Sequence, residues 1–337
     1  MSTEHTTLSL EEIEALAAKS LSAQGCDEAN AAAVARTITA AERDGCHAHG
    51  LMRLPGYVAA LASGKVNGAA QPGAQTISPA VVQVDGDRGF APLALERGVP
   101  SLAERAHDTG IAAMALVNTH HFAALWYEVE MVAEHGLCAM ACTSYKPAVL
   151  PAGGGKALYG TNPFAFAWPR KGARPVVFDQ ASAVVARGEV MLAAREGHEL
   201  PEGVGVDAHG RATTDPEAIL KGALNAFGGY KGASIAMMVE LLAGALIGEC
   251  FSFEAAERDN NDGGPPRGGE FILAIDPARF GDPEGWQAHG ERLFTAILSQ
   301  SGTRLPGDRR YQNRQGSGQS GVEVSVALLD EVRKLSD

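Results

Sequence analysis

His49 and Arg53 stand four residues apart in the stretch DGCHAHGLMRLPGY, residues 44–57. In a helical or near-helical segment, positions i and i+4 share a face, so an imidazole and a guanidinium at this spacing project one turn apart. An imidazole titrates near neutrality and can supply a proton. A guanidinium can hold a carboxylate through two parallel, charge-assisted hydrogen bonds. Together they suit the reduction of a 2-keto or 2-imino acid: Arg53 fixes the carboxylate while His49 protonates the nascent oxygen or nitrogen as hydride arrives. His47 lies two residues before His49, and in a helical segment the two rings diverge. The adjacent His120 and His121 of THHF diverge as well. No metal is therefore expected, and His47 reads as structural.

Two segments could gather an anion. RLPGDRR (304–310) packs Arg304, Arg309 and Arg310 around a Pro-Gly turn in an otherwise acidic chain, a pattern suited to phosphate. GGYKG (228–232) leads two glycines into a helix at Lys231, where backbone amides, the helix dipole and an ammonium can face one anion. Two other glycine-rich stretches are decoys. GVGVDA (203–208) has the outline of a dinucleotide fingerprint but sits between turn-forming segments rather than at a strand-to-helix junction, so it reads as a turn or hairpin. AGGGKA (152–157) lacks the first glycine and the hydroxyl of a phosphate loop. A Rossmann domain is not indicated.

The elements that must position these residues follow from pattern. Ser9 and Glu12 form a capping box for a helix stopping near Gly25, and Asp27 caps a second helix ending near Gly45. Pro55 permits a helix start through GYVAALASG. Short β-prone runs then alternate with helical segments: VVQV, IAAMALV, LCAMACT, FAFAW, VVF and FILAI. Helices are expected at 122–135, 188–196, 231–248, 284–299 and 325–335. The polar segment 254–270 reads as a surface loop at a domain edge, and RQGSGQSG (314–321) as a second low-complexity stretch. The result is an α/β protein. Its 337 residues allow two packed domains or one elaborate one.

With 28 basic against 40 acidic residues, the net charge of −12 is scattered, which argues against nucleic acid or anionic lipid as a partner. Five cysteines without a CxxC pair, and an N-terminus without a basic-then-apolar leader, point to a reduced, cytoplasmic protein. The apolar run 233–248 contains Glu240 and falls short of the ~20 residues a bilayer needs, so it reads as a buried helix.

Seven ordered blocks carry a resemblance that spans nearly the whole chain: AAERDGCHAHGLMRLPGYVAALASG, THHFAALW, YGTNPFAFAWP, VVFDQASAVVARGEV, AAREG, FGGYKGASIAMMVELLAGAL and RLPGDRR. They resemble the malate/L-lactate dehydrogenase superfamily that does not use the Rossmann fold, and within it the Δ1-piperideine-2-carboxylate/Δ1-pyrroline-2-carboxylate reductase branch. The resemblance implies an α/β (α+β) fold. An NADP-binding domain built on a largely antiparallel sheet (119–285) is flanked by a substrate and dimerisation domain made from both chain ends (1–118 and 286–337). It implies His49 as proton donor with Glu189 as its acidic support, raising the imidazole pKa. Substrate would be held by Arg53, Thr161, Arg187 and Gly188. For the cofactor it implies His121, Phe122, Ala123, Ala124 and Leu125; Asp179, Gln180 and Ala181; Tyr230 and Lys231; and Arg304, Leu305, Pro306, Gly307, Asp308, Arg309 and Arg310. The three arginines of the last segment suit a 2′-phosphate, favouring NADPH over NADH. A homodimer is implied as well.

The chain departs from the branch in three places. Ala48 stands where the family has a relay serine, Tyr230 where it often has histidine, and Arg187 and Glu189 where close relatives look more like His and Asp. The expected activity is NADPH-dependent reduction of a cyclic 2-imino acid to L-proline or L-pipecolate. The alternatives are a 2-hydroxy-acid dehydrogenase of the malate, lactate or ureidoglycolate kind, and an NADP-binding paralogue that has lost catalysis, motivated by Ala48 and Tyr230.

Overall fold

The structure, a computed structural model, describes residues 4–336. The first residues of the stretch read for a leader lie outside it. In chain order the elements are β1 (His5–Leu8), α1 (Leu10–Ala23), α2 (Glu28–Arg43), α3 (Leu54–Ala62), β2 (Gly73–Ser78), β3 (Val81–Asp85), α4 (Ala91–Thr109), β4 (Ile111–His120), α5 (Leu125–Ala133), β5 (Cys138–Thr143), β6 (Phe164–Trp168) and β7 (Val176–Gln180). They continue with α6 (Arg187–Glu196), β8 (Gly205–Val206), β9 (Ala212–Thr213), α7 (Pro216–Lys221), β10 (Ala223–Leu224), α8 (Tyr230–Glu240), α9 (Ser252–Arg258), β11 (Arg267–Ile275), α10 (Trp286–Leu298), α11 (Asp308–Ser320), β12 (Val322–Ser325) and α12 (Val326–Arg333).

A seven-stranded sheet in the order β2-β3-β4-β11-β5-β6-β7 forms the centre. Every pair is antiparallel except β3 with β4. All six apolar runs expected to be strands lie in it. Their composition explains the layering. In β6 the pattern Phe-Ala-Phe-Ala-Trp turns Ala165 and Ala167 toward α5, whose Leu125, Val129 and Val132 pack down on them. Its Phe164 faces the other way, against Val239 and Ala243 from α8 and the π-helical turn after it. Small side chains on one face let the helix approach closely; large ones on the other fill the wider gap. Helix α4 covers the far end of the sheet through Leu95, Val99 and Leu102. Gly98 permits that approach, because a Cβ there would lie 2.6 Å from both Met114 Sδ and Val84 Cγ2.

A second core joins the two ends of the chain. Strands β1 and β12 pair antiparallel, and Ile13, Leu21, Ile38, Leu54 and Tyr57 from the first helices bury against Leu329 and Val332 of α12. Both expected helix caps are present: Ser9 Oγ accepts from Glu12 N at 3.1 Å while Glu12 accepts from Ser9 N at 2.7 Å, and Asp27 accepts from Asn30 N at 2.8 Å. The expected boundary at 118/119 falls inside β4, so β2, β3 and β4 carry the first segment of the chain into the central sheet.

Two readings change. The segment expected as a loop over 254–270 begins with α9 and ends in β11, because Glu254 folds back to accept from Phe251 N at 2.9 Å and residues from Arg267 onward pair with β4. Between them, Lys65 bonds Asp259 and Asp262, so the remaining loop is pinned. The stretch RQGSGQSG is helical, within α11. Its poor intrinsic propensity is overridden by tertiary contacts: Arg314 bonds both Asp44 and Glu130, and Ser317 Oγ donates to Arg43 O. GVGVDA is the hairpin expected of it, with β8 paired to β9. None of the helices among the described residues is long and apolar enough to cross a membrane. Glu240, the charge within the apolar run, is a buried acceptor for Asn162 Nδ2, Ser252 N and Ser252 Oγ.

Candidate active site

The turn after α2 is built to present His49. Residues His47–His49 form one 3-10 turn and Leu51–Arg53 a second, broken at Gly50. The buried Glu42 knots them together: one oxygen accepts from Leu51 N at 2.7 Å and the other meets His47 Nδ1 at 2.5 Å. A side chain at Gly50 would collide with Glu42 Oε1, which accounts for the glycine. Arg53 Nε donates to Ala48 O at 2.7 Å, and its guanidinium lies 4.9 Å over the Phe122 ring. Phe122 is in turn held edge-on by Tyr57, with ring centroids 4.8 Å apart. His49 and Arg53 therefore share one cleft although the segment is two tight turns rather than a continuous helix. His47 has the structural role expected of it.

That cleft has a volume of about 320 Å3. It brings together His49, Arg53, Thr161, Arg187, Gly188, Phe122, Ala123, Leu125, Asp179, Gln180, Ala181 and Arg310, twelve residues expected for the site from distant parts of the chain. Cys46, Trp126, Tyr145, Pro163 and Met191 also line it and were not singled out from sequence. Cys46, Trp126 and Pro163 lie within the quoted blocks, but the sequence assigns none of the five a role, and their place in the wall appears only when the chain is folded. Larger depressions exist elsewhere, one of about 780 Å3 between α2 and α11, but this cleft holds Arg53, Arg187 and Arg310 beside the half-buried His49.

Several strained or buried groups hold the walls. Ala123 has a positive φ of 55° and shapes the 121–125 turn. Asn162, also with positive φ, anchors the 160–163 turn through Glu240, and Ser182 N donates to Thr161 O at 2.7 Å. The 304–310 segment docks along β7. Gly307 has φ 93°, Leu305 is buried, and Arg310 Nη2 donates to Val177 O at 2.6 Å with its head over the Trp126 ring.

The electrostatics differ from expectation at His49. Burial, with Arg53 beside it, pushes its pKa down to about 4, and its Nδ1 is buried without a partner among the described residues. Glu189 does not support it. The Glu189 side chain is exposed on the first turn of α6 and bonds nothing among the described residues, since a position two along from Arg187 lies about 200° round a helix. Asp179 is half-buried, accepts from Trp126 N at 3.1 Å, and is pushed up by desolvation to about 7.

Other expected cofactor residues lie outside the cleft. His121 and Ala124 are buried. His121 Nε2 bonds Glu128 at 2.8 Å and approaches Glu270 at 3.3 Å, and Ala124 N donates to Glu128 at 3.1 Å. Burial opposes protonation of His121, but the two carboxylates outweigh it and carry its pKa up to about 10. This His121–Glu128–Glu270 group has the donor types of a cation site, with its imidazole nitrogen already engaged in a hydrogen bond. Tyr230 is 68% exposed beside a separate depression, and neither it nor Lys231 reaches the cleft. Leu305, Pro306, Gly307 and Asp308 form the docked loop. Arg304 and Arg309 are exposed and bond no carboxylate among the described residues.

Unpaired buried donors at His49 and Trp126, the apolar 122–126 wall and the arginines of the 304–310 segment fit a nicotinamide nucleotide. The fold and cleft define a non-Rossmann oxidoreductase. The sequence profile of the malate/L-lactate dehydrogenase family matches residues 8–333, and the chain belongs to that family. It is 48% identical over 334 residues to a Δ1-pyrroline-2-carboxylate reductase of Ancylobacter novellus, covering 98% of each chain. It is 44% identical to a (2R)-3-sulfolactate dehydrogenase (NADP+) of Chromohalobacter salexigens, covering 97% of each. The crystal structure of Δ1-piperideine-2-carboxylate reductase from Pseudomonas syringae superposes with a TM-score of 0.93 at 40% identity, covering 98% of this chain and 99% of that one.

Proposed function

We propose that the protein reduces cyclic 2-imino acids, Δ1-pyrroline-2-carboxylate and Δ1-piperideine-2-carboxylate, to L-proline and L-pipecolate with NADPH. The observation that carries this reading is the placement of His49 and Arg53 on one knotted turn inside a cleft lined by Asp179 and Arg310. The high identity to a pyrroline-2-carboxylate reductase supports the choice of substrate. The cofactor supplies a hydride to C2, and one proton on nitrogen completes the reduction. Arg53 binds the carboxylate, which neutralises the charge that helps hold the His49 pKa low. His49 can then carry a proton and deliver it to the imine nitrogen. Thr161 and Gly188 shape the substrate wall. The free cations Arg304 and Arg309 support NADPH over NADH.

The exposed apolar side chains of Tyr230, Met237, Met238 and Leu241 along one helical run support self-association as a homodimer, and five free cysteines suit a reduced, cytoplasmic setting. The test is a substrate profile: NADPH oxidation should be faster with the two cyclic imines than with pyruvate or oxaloacetate. The reverse order rejects the reading in favour of a 2-hydroxy-acid dehydrogenase, which the sulfolactate dehydrogenase relative supports. NADPH binding without turnover of any of these acids would indicate a chain that has lost catalysis.

A further inference from the structure

Two carboxyl groups are buried on elements that face each other, Glu128 on α5 and Glu270 on β11, 1% and 0% exposed. Acids so far from water are costly unless their neighbours require them. Glu270 reaches its place through a β-bulge: the register of β11 against β4 shifts between Gly268 and Glu270, a device that re-aims a side chain. The polar atoms of both acids and of His121 lie within 4.8 Å of one another. Neither acid lines the cleft.

What they hold is a turn. One oxygen of Glu128, Oε1, meets His121 Nε2 at 2.8 Å and accepts from Ala124 N at 3.1 Å, so it bridges both ends of the connection between β4 and α5. Ala123 lies between those ends with φ 55°, a conformation that alanine keeps only where its surroundings impose it. Burial and the Glu128 charge push the Glu270 pKa well above the carboxylate range, so Glu270 is the neutral member of the pair. Its proton faces Glu128, whose Oε2 has no other partner among the described residues, and the Glu128 charge is left to His121 and the turn. The turn in turn carries Phe122, whose ring lies under the Arg53 guanidinium at 4.9 Å. Phe122, Ala123 and Leu125 all line the cleft.

We propose that Glu128, backed by Glu270, is a positioning residue of the reducing site: it fixes the 121–125 turn so that the Phe122 ring holds the Arg53 guanidinium where a substrate carboxylate meets it. This rests on the reading of His49 and Arg53 as the reducing site. Glu128 acts through Phe122 and touches neither substrate nor Arg53.

Hydrogen exchange followed by mass spectrometry reads the pin directly. In Glu128→Ala the peptide spanning 121–125 should exchange at least about tenfold faster while β5 keeps its protection. The same variant should raise the Kd of pyrrole-2-carboxylate for the NADP+ complex, and the KM of the cyclic imines, by about tenfold, the effect of a bond to a charged group. A merely structural role would lower kcat through the folded fraction and leave Kd and KM unchanged. Glu128→Gln retains an acceptor oxygen and should recover part of both losses. Glu270→Gln, which can still donate to Glu128, should lose less than Glu270→Ala. Phe122→Leu removes the ring through which Glu128 acts, so adding Glu128→Ala to it should weaken binding by less than about twofold more. Unchanged exchange in Glu128→Ala overturns the proposal. So does a loosened turn with unchanged Kd and KM, or a double variant whose losses simply multiply. If Glu128→Ala does not fold, Glu270→Ala, which removes only the backing, carries the same comparisons. If wild type reduces no imino or keto acid, the proposed function fails, and exchange of the turn with the Glu128–Phe122 coupling in urea unfolding still decides whether Glu128 holds Phe122.

Discussion

Protonation of His49 is the perturbation on which the assignment can be tested most directly. Its ring is neutral in the folded cleft, with a pKa near 4, against ~6.5 for an unperturbed histidine. Between these values the unfolded chain binds more protons than the folded one, so stability rises with pH. The contribution of a neutral His49 is fully present above about pH 6.5 and is lost as pH falls toward 4. The full shift corresponds to a ceiling of about 3 kcal/mol, at about 1.4 kcal/mol per pKa unit. One edge of the ring opens into the cleft, so a loss of about 1–3 kcal/mol by pH 4.5 is expected. Urea unfolding of wild type and His49→Gln at pH 7 and pH 4.5 isolates the term, because the buried His120, pushed down in the same direction, is common to both. Wild type should lose the stated amount relative to the variant on acidification. Parallel curves, or a relative gain by wild type, would refute the burial argument. The same reasoning predicts that a substrate analogue such as pyrrole-2-carboxylate, by neutralising Arg53, takes up a proton on binding near pH 6. Calorimetry in buffers of different ionisation enthalpy measures that uptake.

Three further outcomes follow from the geometry. Arg309→Ala should weaken NADPH about tenfold and leave NADH unchanged, as judged by fluorescence titration; equal losses would mean this arginine does not read the 2′-phosphate. Ala48→Ser places a hydroxyl beside Gly188 and next to His49, and should raise kcat by roughly tenfold with KM little changed; a fall would show that this cleft works without the relay. Prolonged chelation followed by gel filtration should leave activity intact. A loss restored by a divalent cation would instead place an ion on His121, Glu128 and Glu270.

The chain order of residue types was enough to find the strands, the caps of α1 and α2, and the His49–Arg53 pair. Each of these depends on near neighbours: the period of the apolar residues, a hydroxyl three residues from a glutamate, an i and i+4 spacing. It also sufficed to set aside GVGVDA, whose flanks are turn material. The sequence could not show that Glu42 ties the turn bearing His49 and Arg53, that Glu240 anchors the turn bearing Thr161, or that a helix runs through RQGSGQSG, because each is decided by a partner outside the local pattern. Tertiary structure also reassigned the acids. Glu189, which the resemblance implies as support for His49, turns outward on its helix, while His121 is drawn into the core by Glu128 and Glu270. Burial, which no local pattern encodes, sets the charge of His49 and Asp179 and leaves Arg187 without a partner.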